Sequence, residues 1–321
     1  MTGNQEPLEH RLDPARGIGH RHHCPTWSGT TSFCRLPLAQ SAAGMDLAIV
    51  GLPADSFVSN RPGTRFGPRA IRQASAIMAW QRPWPHATDP FDALKVCDWG
   101  DVVFDYGRPA TIASEIEAAL RQIHQAGAAT LSLGGDHFVS LPCLRAHAAR
   151  HGPLALVQFD AHSDIWGTPG QEQARFDHGT MMRVAAEAGL VDPGASIQVG
   201  LRSSNDDPMD FAQIDARAVH ERGISAVAEA VRARVGARPV YLSFDIDCLD
   251  PAFAPGTGTP VCGGLASWQA LEILRALSGI RLVGMDVVEV SPPFDHAEIT
   301  ALAGATVAVE LICLFAAAPR P

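Results

Sequence analysis

The stretch LVQFDAHSD at residues 156–164 determines how the rest of the chain is interpreted. Residues 156–160 predict a buried strand, because a short apolar run is typical of parallel sheets. Asp160, His162 and Asp164 then follow at alternate positions. Since side chains two apart on extended backbone point to the same side, two carboxylates and an imidazole are expected to converge at the carboxyl end of this strand. Buried carboxylates need a cation or a donor, so the pattern favours a metal site over a surface Asp-x-His turn.

Two other predicted strands end in the same types of residue. Residues 130–133 run into GGDH at 134–137, where two glycines let the backbone turn sharply before His137. Residues 239–244 run into a second pair of alternating carboxylates, Asp245 and Asp247. The strand ends together supply two histidines and four aspartates: His137, Asp160, His162, Asp164, Asp245 and Asp247.

This set of ligands indicates two metal ions, because a single catalytic zinc usually takes three protein ligands. A donor set rich in carboxylate oxygen favours manganese or magnesium over a thiolate-preferring ion. Two ions about 3.5–4 Å apart lower the pKa of a water held between them toward neutrality. The resulting hydroxide suits attack on an amide, a phosphate ester or a guanidinium group, and the residue types alone do not choose among these.

The order of predicted elements indicates one α/β domain. The chain has 321 residues, 46% of them hydrophobic, and predicted strands alternate with helical patterns throughout. Functional residues at the carboxyl ends of separate strands are expected of an open parallel sheet. Residues 1–44 predict an irregular N-terminal arm that packs on the body or on a neighbouring subunit, and its tract at 20–23 is interpreted as solvated rather than metal-binding. Residues 45–321 predict the single domain.

Charge and cysteine content restrict the class of function. The 25 basic and 34 acidic residues give a net charge of −9, which argues against nucleic-acid or anionic-membrane partners and is compatible with a cationic small molecule. Seven cysteines without a CxxC pair indicate cytosolic thiols rather than a disulfide framework. No secretory signal and no uninterrupted apolar run of about 18 residues is apparent, so a cytoplasmic protein is expected.

Five motifs resemble those of the ureohydrolases, the family of arginases, agmatinases and guanidino-acid hydrolases. They stand in family order: GGDH at 134–137, DAHSD at 160–164, DHGT at 177–180, SFDIDCLDPAFAPGTGTP at 243–260 and GMDVVEVSPPFD at 284–295. The similarity runs from about residue 46 to residue 315. Three segments, FDHGTM, DPAFAPGTGTPV and VSPPFDHAEITAL, are most similar to the bacterial agmatinase branch.

The resemblance implies a three-layer α/β/α, arginase-like fold with a mostly parallel sheet. It also implies two Mn(II) ions, a small cationic guanidino substrate and hydrolysis of agmatine to putrescine and urea by a metal-bridging hydroxide. One ion would be bound by His137, Asp160, Asp164 and Asp245, and the other by Asp160, His162, Asp245 and Asp247. His178 matches the family's mobile histidine, which shuttles protons or assists the leaving amine. Glu289 matches the acid that pairs with the guanidinium, and the implied assembly is a homo-trimer or homo-hexamer.

The tail of the substrate is left open by the sequence. The loop IWGTPGQEQARFD at 165–177 lacks the Asn-rich pattern with which arginases hold an α-carboxylate, which counts against arginine. Trp166 either contacts a cation with its ring face or only packs the loop. Arg175 can attract a carboxylate, so a guanidino-acid hydrolase, acting on 4-guanidinobutyrate or 3-guanidinopropionate, is the alternative. A catalytically silent binding protein is the remote alternative. It predicts a missing ligand, whereas all six are present.

Overall fold

The computed structural model describes residues 26–167 and 177–319. The basic tract at 20–23 and Arg175 lie outside these ranges, so the hypotheses about them stay predictions. Within the described ranges, eight strands form one sheet in the order β2-β1-β3-β8-β7-β4-β5-β6. All the strand pairs are parallel. The strands are β1 Leu47–Leu52, β2 Val96–Asp101, β3 Ala129–Gly134, β4 Ala155–Phe159, β5 Ile197–Leu201, β6 Ala212–Asp215, β7 Val240–Asp245 and β8 Leu282–Val288.

Helices cover both faces of this sheet. They are α1 Gly67–Ser75, α2 Pro90–Ala93, α3 Ile112–Gln125, α4 Ser140–His151, α5 Met181–Glu187, α6 Ala216–Arg222, α7 Ile224–Val235, α8 Ser267–Ala276 and α9 Ile299–Ala317. The helices α1 and α6–α9 contribute buried residues to one hydrophobic core, and α3–α5 contribute to the other. The central strands β4, β7 and β8 are buried at every position, as expected when both faces are packed. The predicted three-layer α/β/α architecture is therefore confirmed.

The described part of the N-terminal segment packs against the body. Phe33 and Cys34 are fully buried. The Phe33 N–H donates to Asp98 Oδ2 at 2.7 Å, and the Cys34 N–H donates to Ser75 Oγ at 2.7 Å. These bonds fasten the segment to β2 and to the end of α1. The boundary at residue 45 stays a prediction.

The sequence predicts a turn at residues 98–101, whereas β2 continues through to Asp101. Asp98 is fully buried, and its two oxygens accept from Arg72 Nε and Nη2 at 2.8 and 2.9 Å. An ion pair with α1 therefore lets an aspartate occupy a strand, where its intrinsic preference is for turns.

The long helix α9 carries most of the apolar character near the end of the chain. By length and composition it is apolar enough to cross a membrane, with a mean hydropathy of 2.1, but 67% of its most apolar window is buried inside the protein. Glu310 lies in its buried part. A helix that is apolar on all sides and buried against a sheet is typical of a core element.

Candidate metal centre

The six predicted ligands come together at the carboxyl ends of three strands. The sheet order places β3, β8, β7 and β4 side by side, so the loops that follow them meet at one edge. His137 follows β3, and its Nδ1 lies 3.0 Å from Asp160 Oδ2 and 2.8 Å from Asp164 Oδ2, both of which follow β4. The same nitrogen lies 3.2 Å from Oδ2 of Asp245, the last residue of β7.

A second group of ligands shares Asp160 with the first. His162 Nδ1 lies 3.1 Å from Asp247 Oδ2 and 3.5 Å from Asp160 Oδ1. One oxygen of Asp160 therefore faces His137 and the other faces His162. The ligand atoms of each trio, His137–Asp160–Asp164 and Asp160–His162–Asp247, lie within 4.8 Å of one another. A carboxylate placed between two such groups has the geometry of a bridging ligand.

Turns, rather than extended backbone, bring the alternating residues to the same side. The His162 N–H donates to Asp160 Oδ1 at 2.7 Å, and the Asp247 N–H donates to Asp245 Oδ1 at 2.7 Å. Both contacts are Asx-type turns. Asp164 has a φ of +53°, in the left-handed region. The assumption of extended alternation was wrong at these positions, because each aspartate caps its own turn as the strand ends.

Gly135 makes the approach of His137 possible. A Cβ at this position would lie 2.1 Å from the carbonyl oxygen of Ala54, so only glycine fits between β3 and the loop after β1. Glycine is the residue that allows two backbone segments to approach so closely.

The hydrogen bonds behind His137 show what its free nitrogen can bind. Ser243 Oγ donates its single hydrogen to Asp286 Oδ1 at 2.7 Å, so it must accept from His137 Nε2, 2.8 Å away. The neutral ring therefore carries its hydrogen on Nε2 and turns a lone pair on Nδ1 toward three carboxylates. Nδ1 is buried and has no hydrogen-bond partner among the described residues. A lone pair and three carboxylates facing one point require a cation, and a divalent metal ion fits this donor set.

The charges of the cluster indicate the same need. Burial and the negative charge of Asp160 raise the pKa of Asp164 to about 7. Burial and the charges of Asp247 and Asp160 raise the pKa of Asp245 well above its usual value. Burial opposes protonation of His137, but the carboxylates of Asp160, Asp164 and Asp245 outweigh it and raise the pKa of this imidazole well above its usual value, so without a bound cation Nδ1 would itself take up a proton. These acids repel one another until positive charge is placed between them.

His178 and Glu289 lie beside the cluster. Glu289 Oε1 accepts from the His137 N–H at 2.9 Å and contacts His178 Nδ1 at 2.9 Å. Glu289 Oε2 is buried and has no partner within the described ranges. Burial disfavours the charged imidazole of His178, but the hydrogen bond and charge of Glu289, with the charges of Asp164 and Asp136, raise its pKa to about 9.

Two arginines beside the centre are already engaged. Arg61 Nη2 donates to the Thr257 carbonyl at 2.8 Å, and its guanidinium lies 4.3 Å from the centre of the Phe294 ring. Arg202 donates to several carbonyls, among them that of Asp247 at 2.6 Å. Their charges hold loops together.

Trp166 is half-buried beside the centre. Its Nε1 donates to the Ser204 carbonyl at 3.3 Å, and its ring centre lies 6.1 Å from that of His162. The ring therefore packs the loop and also lies next to a predicted ligand.

Sequence reasoning missed the residues that support the ligands. Ser243 could have been identified from the sequence, because it precedes Asp245 by two positions on β7 and so lies on the same side of the sheet. Asp286 and Ser59 gave no signal of their own, since their partners lie far away in the chain.

Comparison with known proteins places the chain in a family. The sequence model of the arginase family matches residues 45–313. This chain belongs to the arginase family. It is 47% identical over 290 residues to an agmatinase of Chromobacterium violaceum, covering 90% of this chain and 89% of that relative.

Solved structures of the arginase family agree with this assignment. The structure of a hypothetical agmatinase from Burkholderia thailandensis is 48% identical, with a TM-score of 0.89 and coverage of 91% of this chain and 92% of that one. Proclavaminate amidino hydrolase from Streptomyces clavuligerus is 38% identical, with a TM-score of 0.87 and coverage of 91% and 99%. The predicted ureohydrolase resemblance and the prediction of a ureohydrolase enzyme are therefore confirmed.

Proposed function

We propose that this protein hydrolyses agmatine to putrescine and urea at a centre of two divalent metal ions. The observation that carries the proposal is the pair of overlapping ligand groups that share Asp160, next to the buried, unpartnered Oε2 of Glu289. The similarity to agmatinases over nine-tenths of the chain supports the choice of substrate.

His137, Asp160, Asp164 and Asp245 would hold one ion, and Asp160, His162, Asp245 and Asp247 the other. The structure supports the bridging role of Asp160 more directly than that of Asp245. The two oxygens of Asp160 face His137 and His162, one each, whereas Oδ2 of Asp245 faces His137 and its Oδ1 faces the backbone N–H of Asp247. Bound there, the two ions supply Lewis-acid activation of a water at neutral pH. The many carboxylate oxygens favour Mn(II), which metal analysis of the purified protein checks.

Glu289 would bind the guanidinium. Its free Oε2 offers a charged acceptor for an N–H of the guanidinium inside a buried site, where such charge-assisted hydrogen bonds are strong. His178 would give its proton to the leaving amine as the carbon–nitrogen bond breaks, so that the products leave as putrescine and urea. A ring whose pKa is raised to about 9 holds that proton at neutral pH.

The tail of the substrate is proposed to be cationic, as in agmatine. A guanidino acid would need a free cation at the mouth of the site. In the part of the chain that the structure describes, the nearby guanidinium groups of Arg61, Arg202 and Arg183 are bonded to carbonyls or to an aspartate. The net charge of −9 is also compatible with a cationic substrate. The similarity to proclavaminate amidino hydrolase keeps a guanidino-acid hydrolase as the second candidate.

Urea release distinguishes these candidates. After loading with Mn(II), the protein is assayed with agmatine, arginine, 4-guanidinobutyrate and 3-guanidinopropionate. We expect the highest kcat/KM for agmatine. A higher value for a guanidino acid would establish the second candidate, and no urea from any of the four compounds would refute both candidates.

We also propose a homo-trimer or homo-hexamer in the cytoplasm. Large apolar side chains remain exposed on one stretch, including Ile77 (66%), Trp80 (50%) and Trp84 (81%), which suits contact with another copy. Within the described ranges, the cysteines at 97, 143, 248, 262 and 313 are free thiols, which suits a reducing compartment. Light scattering on the purified protein measures the assembly, and a monomeric mass would contradict it.

A further inference from the structure

The segment at residues 57–59, in the loop after β1, contacts His178 at three points. The His178 N–H donates to the Phe57 carbonyl at 3.2 Å. The Ser59 N–H donates to His178 Nε2 at 3.0 Å, and Ser59 Oγ lies 2.7 Å from the same nitrogen. Both the backbone and the ring of His178 are therefore held by this one segment.

The geometry assigns the hydrogen of the neutral ring. A backbone N–H can only donate, so Nε2 must accept from Ser59 and cannot carry a hydrogen itself. The hydrogen is then on Nδ1, which donates to Glu289 Oε1 at 2.9 Å. This nitrogen points to the carboxylate that would bind the guanidinium, which is where a proton is needed.

The charged ring needs a different partner at Nε2. When Nε2 also carries a hydrogen, the Ser59 N–H cannot receive it, but the Ser59 hydroxyl can rotate and accept. The titratable groups that face His178 are Glu289, Asp164 and Asp136, all of them acids, and the hydrogen bond with Glu289 most strongly favours the charged ring. In the charged ring, the Ser59 hydroxyl therefore accepts the hydrogen on Nε2, which the Ser59 N–H cannot do.

Neighbouring contacts hold Ser59 in place. The Phe57 N–H donates to Asp136 Oδ2 at 2.9 Å, and the Phe57 ring stacks on Phe138 at 3.9 Å between centres. On the other side, Asn60 Nδ2 donates to the Gly258 carbonyl at 2.9 Å. The segment is therefore fixed on both sides of Ser59.

We propose that Ser59 is a positioning residue for His178: its N–H keeps the neutral ring protonated on Nδ1, toward the substrate, and its hydroxyl accepts from Nε2 when the ring is charged. The inference rests on the proposed function for the role of His178, but the state of the ring can be measured without substrate.

The first test is NMR of protein labelled with ¹⁵N-histidine and loaded with Mg(II), which is diamagnetic. The His178 signals are assigned with His178→Asn. At a pH where the ring is neutral, we expect a protonated Nδ1 and an unprotonated Nε2. A ring protonated on Nε2 would overturn the proposal, whatever the substrate proves to be.

The second test is kinetic and uses the Mn(II)-loaded enzyme with the substrate that the urea assay identifies. Ser59→Ala should lower kcat by about tenfold, less than the roughly 10²–10⁴-fold that a general acid contributes, because His178 itself is kept; KM should stay within about twofold. It should also move the high-pH limb of the kcat profile to lower pH, because the charged ring loses its acceptor. Ser59→Thr, which keeps the hydroxyl, should restore both properties.

The matched control is Ser56→Ala, an exposed serine in the same loop, which should behave as the wild type. Equal effects of Ser59→Ala and Ser59→Thr, or an unchanged pH profile in Ser59→Ala, would contradict the proposed role. If Ser59→Ala does not fold, the ring state of the wild type and the activity of Ser59→Thr still decide.

Discussion

At the scale of single residues, Asp247 gives a direct test of the two-ion proposal. Its Oδ2 faces His162, and its Oδ1 accepts the Ala161 N–H at 3.0 Å, so it belongs to the second ligand group only. Asp247→Ala should release one of two ions and lower turnover by more than about 100-fold, since even residues behind the ligands cost about 10–100-fold. Metal content per chain after desalting measures the first effect. The exposed Asp206→Ala is the control. Near-normal activity with a single ion bound would refute the proposal.

Glu289→Gln tests substrate binding without removing a ligand. The amide keeps an oxygen for the His137 N–H but loses the charge that would pair with the guanidinium. We expect kcat/KM to fall by a factor that corresponds to about 2–5 kcal/mol of lost transition-state stabilisation, as for other buried charge pairs. Two ions should still be bound. An unchanged kcat/KM, or a loss of metal equal to that in Asp247→Ala, would show that Glu289 does not act on the substrate.

The clustering of the six candidate ligands could be predicted from the sequence, because each lies at the end of an apolar strand in a recognisable motif. The turns that orient them could not, because Asp160 and Asp245 adopt Asx turns whose hydrogen bonds leave no periodic pattern. The supporting residues were hidden for a different reason. Ser59 and His178 are 119 positions apart, so only the folded chain shows that they touch.

At the scale of elements, the long apolar segments were predictable and the short ones were not. Helix α9 and strands β1, β7 and β8 have enough buried residues to set a clear pattern. Strand β6 has four residues, of which only Ile214 is buried, so its pattern is too weak to read.

The buried side chain of Glu310 helps to hold helix α9 in position. Glu310 accepts from Arg275 of α8 and contacts His86 Nε2 at 2.7 Å. Glu310→Gln should lower the free energy of unfolding by about 1–2 kcal/mol, because the Arg275 guanidinium loses one of its two charged partners and keeps Glu272. Denaturant unfolding of the metal-loaded protein measures this. Glu221→Gln, in an exposed pair with Arg217, should change it by less than about 0.5 kcal/mol. Equal effects of the two changes would show that burial of the pair does not matter.

At the scale of the whole molecule, strand order is what creates the site. β8 is the last strand in the chain, yet it lies between β3 and β7, which brings Glu289 next to His137 and His178. Parallel strands need long crossover connections, and the sequence shows where strands are but not which ones pair. The family resemblance, rather than the residue pattern, therefore supplied the expectation that Glu289 joins the site.

Two neighbouring histidines, one on α3 and one on α4, should make the stability of the folded protein sensitive to acid. His124 and His147 pack edge to face at 4.5 Å between ring centres. Burial, and then the charges of Arg150 and His151, lower the pKa of His124 to about 4, while burial and His124 lower that of His147 well below its usual value. Both rings are neutral when folded but take up protons near pH 6.5 when unfolded. Their contribution to stability is therefore complete above pH 6.5 and is lost as pH falls toward 4.

His124→Gln removes one of these titrations and isolates its effect. We expect the wild type to lose about 1–2 kcal/mol more stability than the variant between pH 7 and pH 5, because the folded state cannot take the proton that the unfolded state accepts. Denaturant unfolding of both proteins in EDTA measures the difference, since chelation removes the loss that acid release of metal would add. The exposed His220→Gln, which keeps both buried rings, should follow the wild type. Parallel stability curves for the wild type and His124→Gln would show that the neutral pair does not control the response to acid.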